Sequence, residues 1–142
     1  MRIAMFTDTY TPDVSGVVTS IVTLKKALEN HGHEVWIIAN RAGLLKTEYD
    51  YENRIIRLPG LELKRLYGYK ASSPIHLFVM NQMKDLHFDI IHAHSEFGVG
   101  IFARIVSKFL RIPIISTYHT AYEDYTHYIN ALKIDSVDKL AK

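Results

Sequence analysis

The feature that most constrains this chain is a repeated switch in the period of its apolar residues. Short apolar runs alternate with stretches of helical spacing, the pattern of βαβ units built around a parallel sheet. Arg2–Thr7 (RIAMFT) reads as a buried strand. A loop, Asp8–Ser15, contains Pro12 and leads to Gly16. Val17–His31 follows as a helix with Val17, Ile21, Leu24 and Leu28 on its inner face. Gly32 stands where a left-handed residue would end that helix. Glu34–Ala39 and Arg54–Leu58 are the next strands, the latter stopped by Pro59 and Gly60. Beyond them come a helix over Pro74–Leu86, a strand over Asp89–Ala93, a helix over Gly98–Leu110 and a buried strand over Pro113–Thr117. The tail from Tyr122 is mixed and turns helical late. The order β-α-β-β-α-β-α-β describes a doubly wound α/β sheet, and 142 residues suit one such domain.

Composition narrows the function. Hydrophobic residues at 48% and charged residues at 23% are those of a globular chain, not a disordered one. Lys and Arg outnumber Asp and Glu by only 17 to 15, so nothing in the overall field favours nucleic acid. With no cysteine, disulfides and thiolate metal sites are excluded. The N-terminus lacks the apolar core of a secretory signal, and no segment reaches the ~20 apolar residues of a membrane span. A cytoplasmic domain is expected, with peripheral attachment to the inner face of the cell membrane open to it.

Ligands of doubly wound sheets sit beyond the carboxyl ends of the strands. That rule selects three loops: Asp8–Gly16, His92–Gly98 and Tyr118–Tyr125. In the first, a glycine opening a helix lets a phosphate come close to free N–H groups. The same residues also suit an ordinary helix start at Ser15 or Gly16. No Walker lysine follows, which argues against a nucleotide-hydrolysing P-loop. Asp8, Tyr10 and Asp13 are candidates for binding a sugar or an acceptor.

In the second loop, HAHSEFGVG, His92 and His94 alternate and so point the same way, as metal ligands do. No third ligand follows at a suitable spacing, and no metal is assigned. His94 joins the sugar-binding candidates. Gly98, Gly100 and Ala103 fit G-x-G-x-x-A, yet the acid that should close the next strand is replaced by Ser116-Thr117-Tyr118-His119. A dinucleotide site is therefore rejected. In the third loop, STYHTAYEDYTHY, His119 is placed to donate a hydrogen bond to a sugar hydroxyl, or to serve as a polar cap on the sheet. Glu123 and Asp124 either bind hydroxyls or cap the following turn.

A further segment, PGLELKRLYGYKASSP, interleaves Lys64, Arg65 and Lys70 with Leu61, Leu63, Leu66, Tyr67 and Tyr69. Such a mixture suits an anionic lipid interface, and equally a solvated loop with snorkelling cations. The candidates for membrane contact are Lys64, Arg65, Tyr67, Tyr69 and Lys70, with Lys25 and Lys26 extending the patch.

Taken together, MRIAMFTDTYTPDVSGVVTSI, IIHAHSEFGVGIFA and ISTYHTAYEDYTHYI resemble the N-terminal domain of glycosyltransferase family 4, of the GT-B architecture. Within that family the likeness is to bacterial enzymes that glucosylate diacylglycerol. It covers Met1 to about Ile129. The resemblance implies a Rossmann-like, acceptor-side half of a retaining hexosyltransferase. The donor would be a nucleotide sugar, UDP-glucose, and the acceptor a lipid such as diacylglycerol, with no tightly bound cofactor. It also implies that the residue at Gly16 lies against the donor diphosphate and that the residue at His119 contacts the donor sugar as the catalytic histidine. No protein nucleophile is assigned. The family's C-terminal nucleotide-binding domain is not among these 142 residues, so no turnover is expected from this chain alone. Two other readings stand beside this one. One is a stand-alone Rossmann-like module that binds a sugar or a partner without catalysis. The other is a metal-dependent hydrolase built on His92 and His94.

Overall fold

A computed structural model of the chain describes residues 1–43, 45–63, 69–73 and 75–119. Seven strands form one sheet in the order β3-β4-β2-β1-β6-β7, with β5 pairing β4. The elements are β1 (Arg2–Thr7), α1 (Gly16–Asn30), β2 (Glu34–Ala42), β3 (Glu48–Asp50), β4 (Ile55–Leu63), β5 (Tyr69–Ser72), α2 (Leu77–Leu86), β6 (Ile90–Ala93), α3 (Val99–Leu110) and β7 (Ile114–Ser116). Strands β4, β2, β1, β6 and β7 are parallel, while β3 and β5 run antiparallel to β4. This is the expected α/β, Rossmann-like architecture, in a mixed sheet with a parallel core.

Both faces of that sheet are covered, because successive strand residues point to opposite sides. Ile3, Met5, Val35, Ile37 and Ala39 pack with Ile21 of α1, joined by Val17, Leu24 and Leu28. Ala4, Phe6, Trp36, Ile38, Ile56 and Leu58 face the other way, against Val79, Met80 and Met83 of α2 and Val99, Phe102, Ala103 and Val106 of α3. The inner face expected of the first helix is the observed one, with Val18 added.

Helix α1 begins at an N-cap, Ser15, whose Oγ accepts from the Val18 N–H at 3.2 Å. It ends at Gly32, with φ of +86°, where the Gly32 and His33 N–H groups return to Glu29 and Leu28. That is the left-handed closure anticipated for this glycine.

Three expectations need correction. Strand β4 does not stop at Pro59-Gly60 but continues to Leu63. Along β4, pairing with β3 reaches Arg57 and pairing with β5 starts at Gly60, so Pro59 falls in the gap between its two antiparallel neighbours. Helix α2 starts at Leu77, not at Pro74, which lies outside the described residues. Strand β7 is not buried: Ile115 is 50% exposed, as suits a strand whose partner among the described residues lies on one side only. The tail beyond Tyr122 also lies outside the described residues.

Candidate active site

The strand order dictates where a site can form. From β1 the chain moves to β2 and β4 on one side, then crosses back to β6 and β7 on the other. The loops after β1 and β6 therefore diverge at a topological switch point, where doubly wound sheets hold their ligands. A cleft of about 180 Å³ opens there, lined by Asp8, Thr9 and Val17, by His94–Phe97, and by Thr117, Tyr118 and His119. The structure thus brings together the three loops singled out from sequence.

The floor of the cleft is a buried polar network. Asp8 accepts from Asn40 Nδ2 at 3.0 Å and from the Val99 N–H at 3.3 Å through the same Oδ1, and its own N–H donates to Ser95 Oγ at 2.7 Å. Asp8 thereby ties the loop after β1 to β2 and to the start of α3 through its carboxylate, and to the loop after β6 through its backbone N–H. It also sits on the positive end of the α3 dipole. Asp8 lines the cleft, but its charge is engaged by the protein itself. That geometry supplies a second reason against a dinucleotide at α3, since a carboxylate already stands at the start of that helix.

Gly100 makes the junction tight. A Cβ added there would overlap the Ser95 carbonyl oxygen and lie 2.6 Å from its carbon. Only glycine lets α3 approach the loop after β6 so closely. Gly16 differs: a Cβ there meets nothing within 4 Å. It is the first residue of α1, next to Val17 at the cleft wall, and its side faces open space.

Histidines fill the side of the cleft nearest β7. His92 and His94 do point the same way, their rings 4.0 Å apart. His92 Nε2 lies 2.7 Å from Thr117 Oγ1, and His94 Nδ1 lies 2.9 Å from His119 Nε2. Two cross-strand bonds from β6 therefore fix the residues that follow β7. Among the described residues no three His, Asp or Glu side chains are grouped to hold a metal ion.

His94 is only 6% exposed. Burial, with His92 and His119 adding to it, pushes its pKa down to about 3. Burial first, and His119 second, lower His92 in the same direction. Unfolded, an imidazole titrates near ~6.5. Between those values the unfolded chain binds the extra proton, so the contribution is complete above about pH 6.5 and is lost as pH falls. By about pH 5 the loss from His94 should reach about 2 kcal/mol. Urea unfolding at about pH 7.5 and about pH 5 checks this. His94→Asn should reduce the pH dependence in that window by the share of His94, and an unchanged dependence would count against it.

The remaining sequence candidates are distributed unevenly. Tyr10 is not a cleft residue: it is 6% exposed and packs in the core beneath α1, where burial raises its pKa. Asp13 is half-buried on the loop, its N–H donating to Tyr10 O, and it does not line the cleft. Lys25 pairs with Glu29 at 3.2 Å and donates to Asn53 O, so it is held to the protein rather than offered to a surface. Glu123, Lys64, Arg65 and Tyr67 lie outside the described residues, as do the side chains of Tyr69 and Lys70. The sequence reading missed Asn40 and Ser95, which hold Asp8. Its one available signal for Asn40 was a polar residue ending an otherwise apolar strand. It also passed over Phe97 and Tyr118, 58% and 64% exposed at the cleft.

No described helix is long and apolar enough to cross a membrane. Comparison with known proteins accords with the fold and the cleft. Residues 14–140 match Glycosyltransferase Family 4. An alpha-monoglucosyldiacylglycerol synthase of Acholeplasma laidlawii is 40% identical over 134 residues, covering 93% of this chain and 33% of that protein. One of Streptococcus pneumoniae is 42% identical over 133 residues, covering 91% and 29%. A GDP-mannose-dependent alpha-mannosyltransferase of Corynebacterium glutamicum is 29% identical over 122 residues, covering 84% and 29%. The chain spans about a third of the length of the curated relatives it matches. With its sheet, its strand-end cleft and a family match across most of its length, this chain belongs to Glycosyltransferase Family 4.

Proposed function

We propose that this domain is the acceptor-side half of a retaining hexosyltransferase that moves glucose from UDP-glucose to a lipid hydroxyl such as that of diacylglycerol. The observation that carries the reading is the convergence of three strand-end loops on one open cleft with histidines along one side. Its volume, about 180 Å³, is below the ~300–1,000 Å³ of complete small-molecule pockets, which suits a site shared with a second domain. Two relatives named for glucosylating diacylglycerol point to the donor sugar and the acceptor.

In this reading Gly16 lies against the donor diphosphate at the start of α1, where the helix dipole favours negative charge. His119 donates a hydrogen bond to the donor sugar. The lipid hydroxyl attacks the anomeric carbon and takes the place of the leaving UDP. Lys64, Arg65, Tyr67, Tyr69 and Lys70 serve as contacts to an anionic surface on the inner side of the cell membrane, each cation contributing about 1 kcal/mol.

Gly16→Val tests the donor assignment in a joined enzyme, this chain followed by the part of the S. pneumoniae relative beyond the 29% that it matches. Because a Cβ at Gly16 has open space, the fold should survive by circular dichroism while transfer falls at least roughly 100-fold. Normal turnover in that variant would remove Gly16 from the donor site.

A further inference from the structure

His94 and His119 meet across one 2.9 Å hydrogen bond, so one ring gives a proton there and the other accepts it. Which one gives is decided at the opposite nitrogen of His94. That atom, Nε2, is buried and has no hydrogen-bond partner among the described residues. A neutral imidazole carries a single N–H. Placed on Nε2, it would be a buried donor without an acceptor among the described residues, which carries the full desolvation penalty of that group. Placed on Nδ1, it is used on His119, and only a lone pair is left at Nε2. Orphaned buried N–H groups are the rarer defect in folded proteins.

We infer that His94 donates its Nδ1 proton to His119 Nε2 and so holds His119 as the Nδ1–H tautomer, making His119 a hydrogen-bond donor to the ligand and not a general base. His94 is then a positioning residue, acting on the reaction through His119. The inference deepens the proposed function and rests on it for the identity of the ligand, but not for the tautomer.

The surroundings agree with this assignment. Burial, with His92 and His119 beside it, lowers the His94 pKa to about 3, so the ring is neutral at ordinary pH. The groups around it are His92 on β6 and His119 beyond β7, with the Asp8 and Glu96 carboxylates lining the same cleft. Asp8 is held by Asn40 and the Val99 N–H, and Glu96 by Arg104 at 3.0 Å. The Thr117 N–H donates to Ala93 O and the Thr117 side chain meets His92 Nε2, which together hold the chain two residues before His119. The ring of His119 is thus set in both position and tautomer.

Two measurements test the inference. In the full 142-residue chain labelled with 15N-histidine, long-range proton–nitrogen NMR spectra distinguish the two tautomers. His119 should carry its proton on Nδ1, and a proton on His119 Nε2 would overturn the assignment. His94→Leu should release His119 to populate both tautomers, with circular dichroism reporting whether the fold is kept. His94→Asn, whose side-chain amide can occupy the Nδ1 position, should restore the single tautomer.

In the joined enzyme, His94→Leu should lower kcat roughly 10- to 100-fold with little change in KM for UDP-glucose, and His94→Asn should recover most of it. An equal loss in both variants, or a loss confined to KM, would contradict the positioning role. If the unaltered joined enzyme makes no glucolipid, the proposed function fails, and the NMR result still decides the tautomer.

Discussion

Gly100→Ala should destabilise the domain by about 3 kcal/mol, lowering Tm by roughly 10 °C. The added methyl would overlap the Ser95 carbonyl, which is backbone and cannot rotate away like a flexible side chain. Either α3 lifts from the sheet or the loop after β6 moves outward. Phe102, Ala103 and Val106 keep α3 seated in the core, so the loop is the part that gives. Because Ser95 Oγ accepts from the Asp8 N–H, that movement also loosens the loop after β1. Thermal melts of the wild-type chain and the variant measure the effect. A variant as stable as wild type would show that the junction relaxes without strain.

His119→Ala should reduce transfer in the joined enzyme by roughly 100- to 1,000-fold, within the range for losing a positioned hydrogen-bonding group at a reaction centre. The fold should survive with a modest loss of stability, since the His119 ring is half-buried and its removal takes one acceptor from His94 Nδ1. Nucleotide binding should be nearly unchanged, because the base and ribose are gripped elsewhere in this account. If UDP binding falls in proportion to kcat, His119 acts in ground-state binding and not in the transfer step.

Much of this architecture is legible in the sequence, for a physical reason. A strand covered on both faces is a continuous apolar run, and a helix packed on a sheet carries a 3.6-residue stripe. RIAMFT, EVWIIA and the α1 pattern could hardly adopt other roles. Strands β3 and β5 escape this logic. EYD and YKAS are short and polar, and they are held by pairing to the edge of β4 that β2 leaves open. Pro59 gave a misleading stop signal because its tolerance depends on where two other strands happen to end.

The site divides in the same way. Its location follows from topology, so the three loops could be named in advance. The tasks of individual side chains depend on partners distant in sequence. Asp8 reads as a free loop carboxylate until Asn40 and Val99, 32 and 91 positions away, are seen to hold it. Tyr10 reads as a polar loop residue, yet its ring turns into the core. The pairing of His94 with His119 crosses 25 positions and depends on the register of β6 against β7.

The most direct test of the central claim is transfer of labelled glucose from UDP-glucose to diacylglycerol by the joined enzyme, in vesicles with and without anionic lipid. A glucolipid product is expected, formed faster on anionic vesicles, with that preference lost when Lys64, Arg65 and Lys70 are changed to Ser. No glucolipid from a joined enzyme that folds and binds UDP, under conditions where the S. pneumoniae relative turns over, would contradict it.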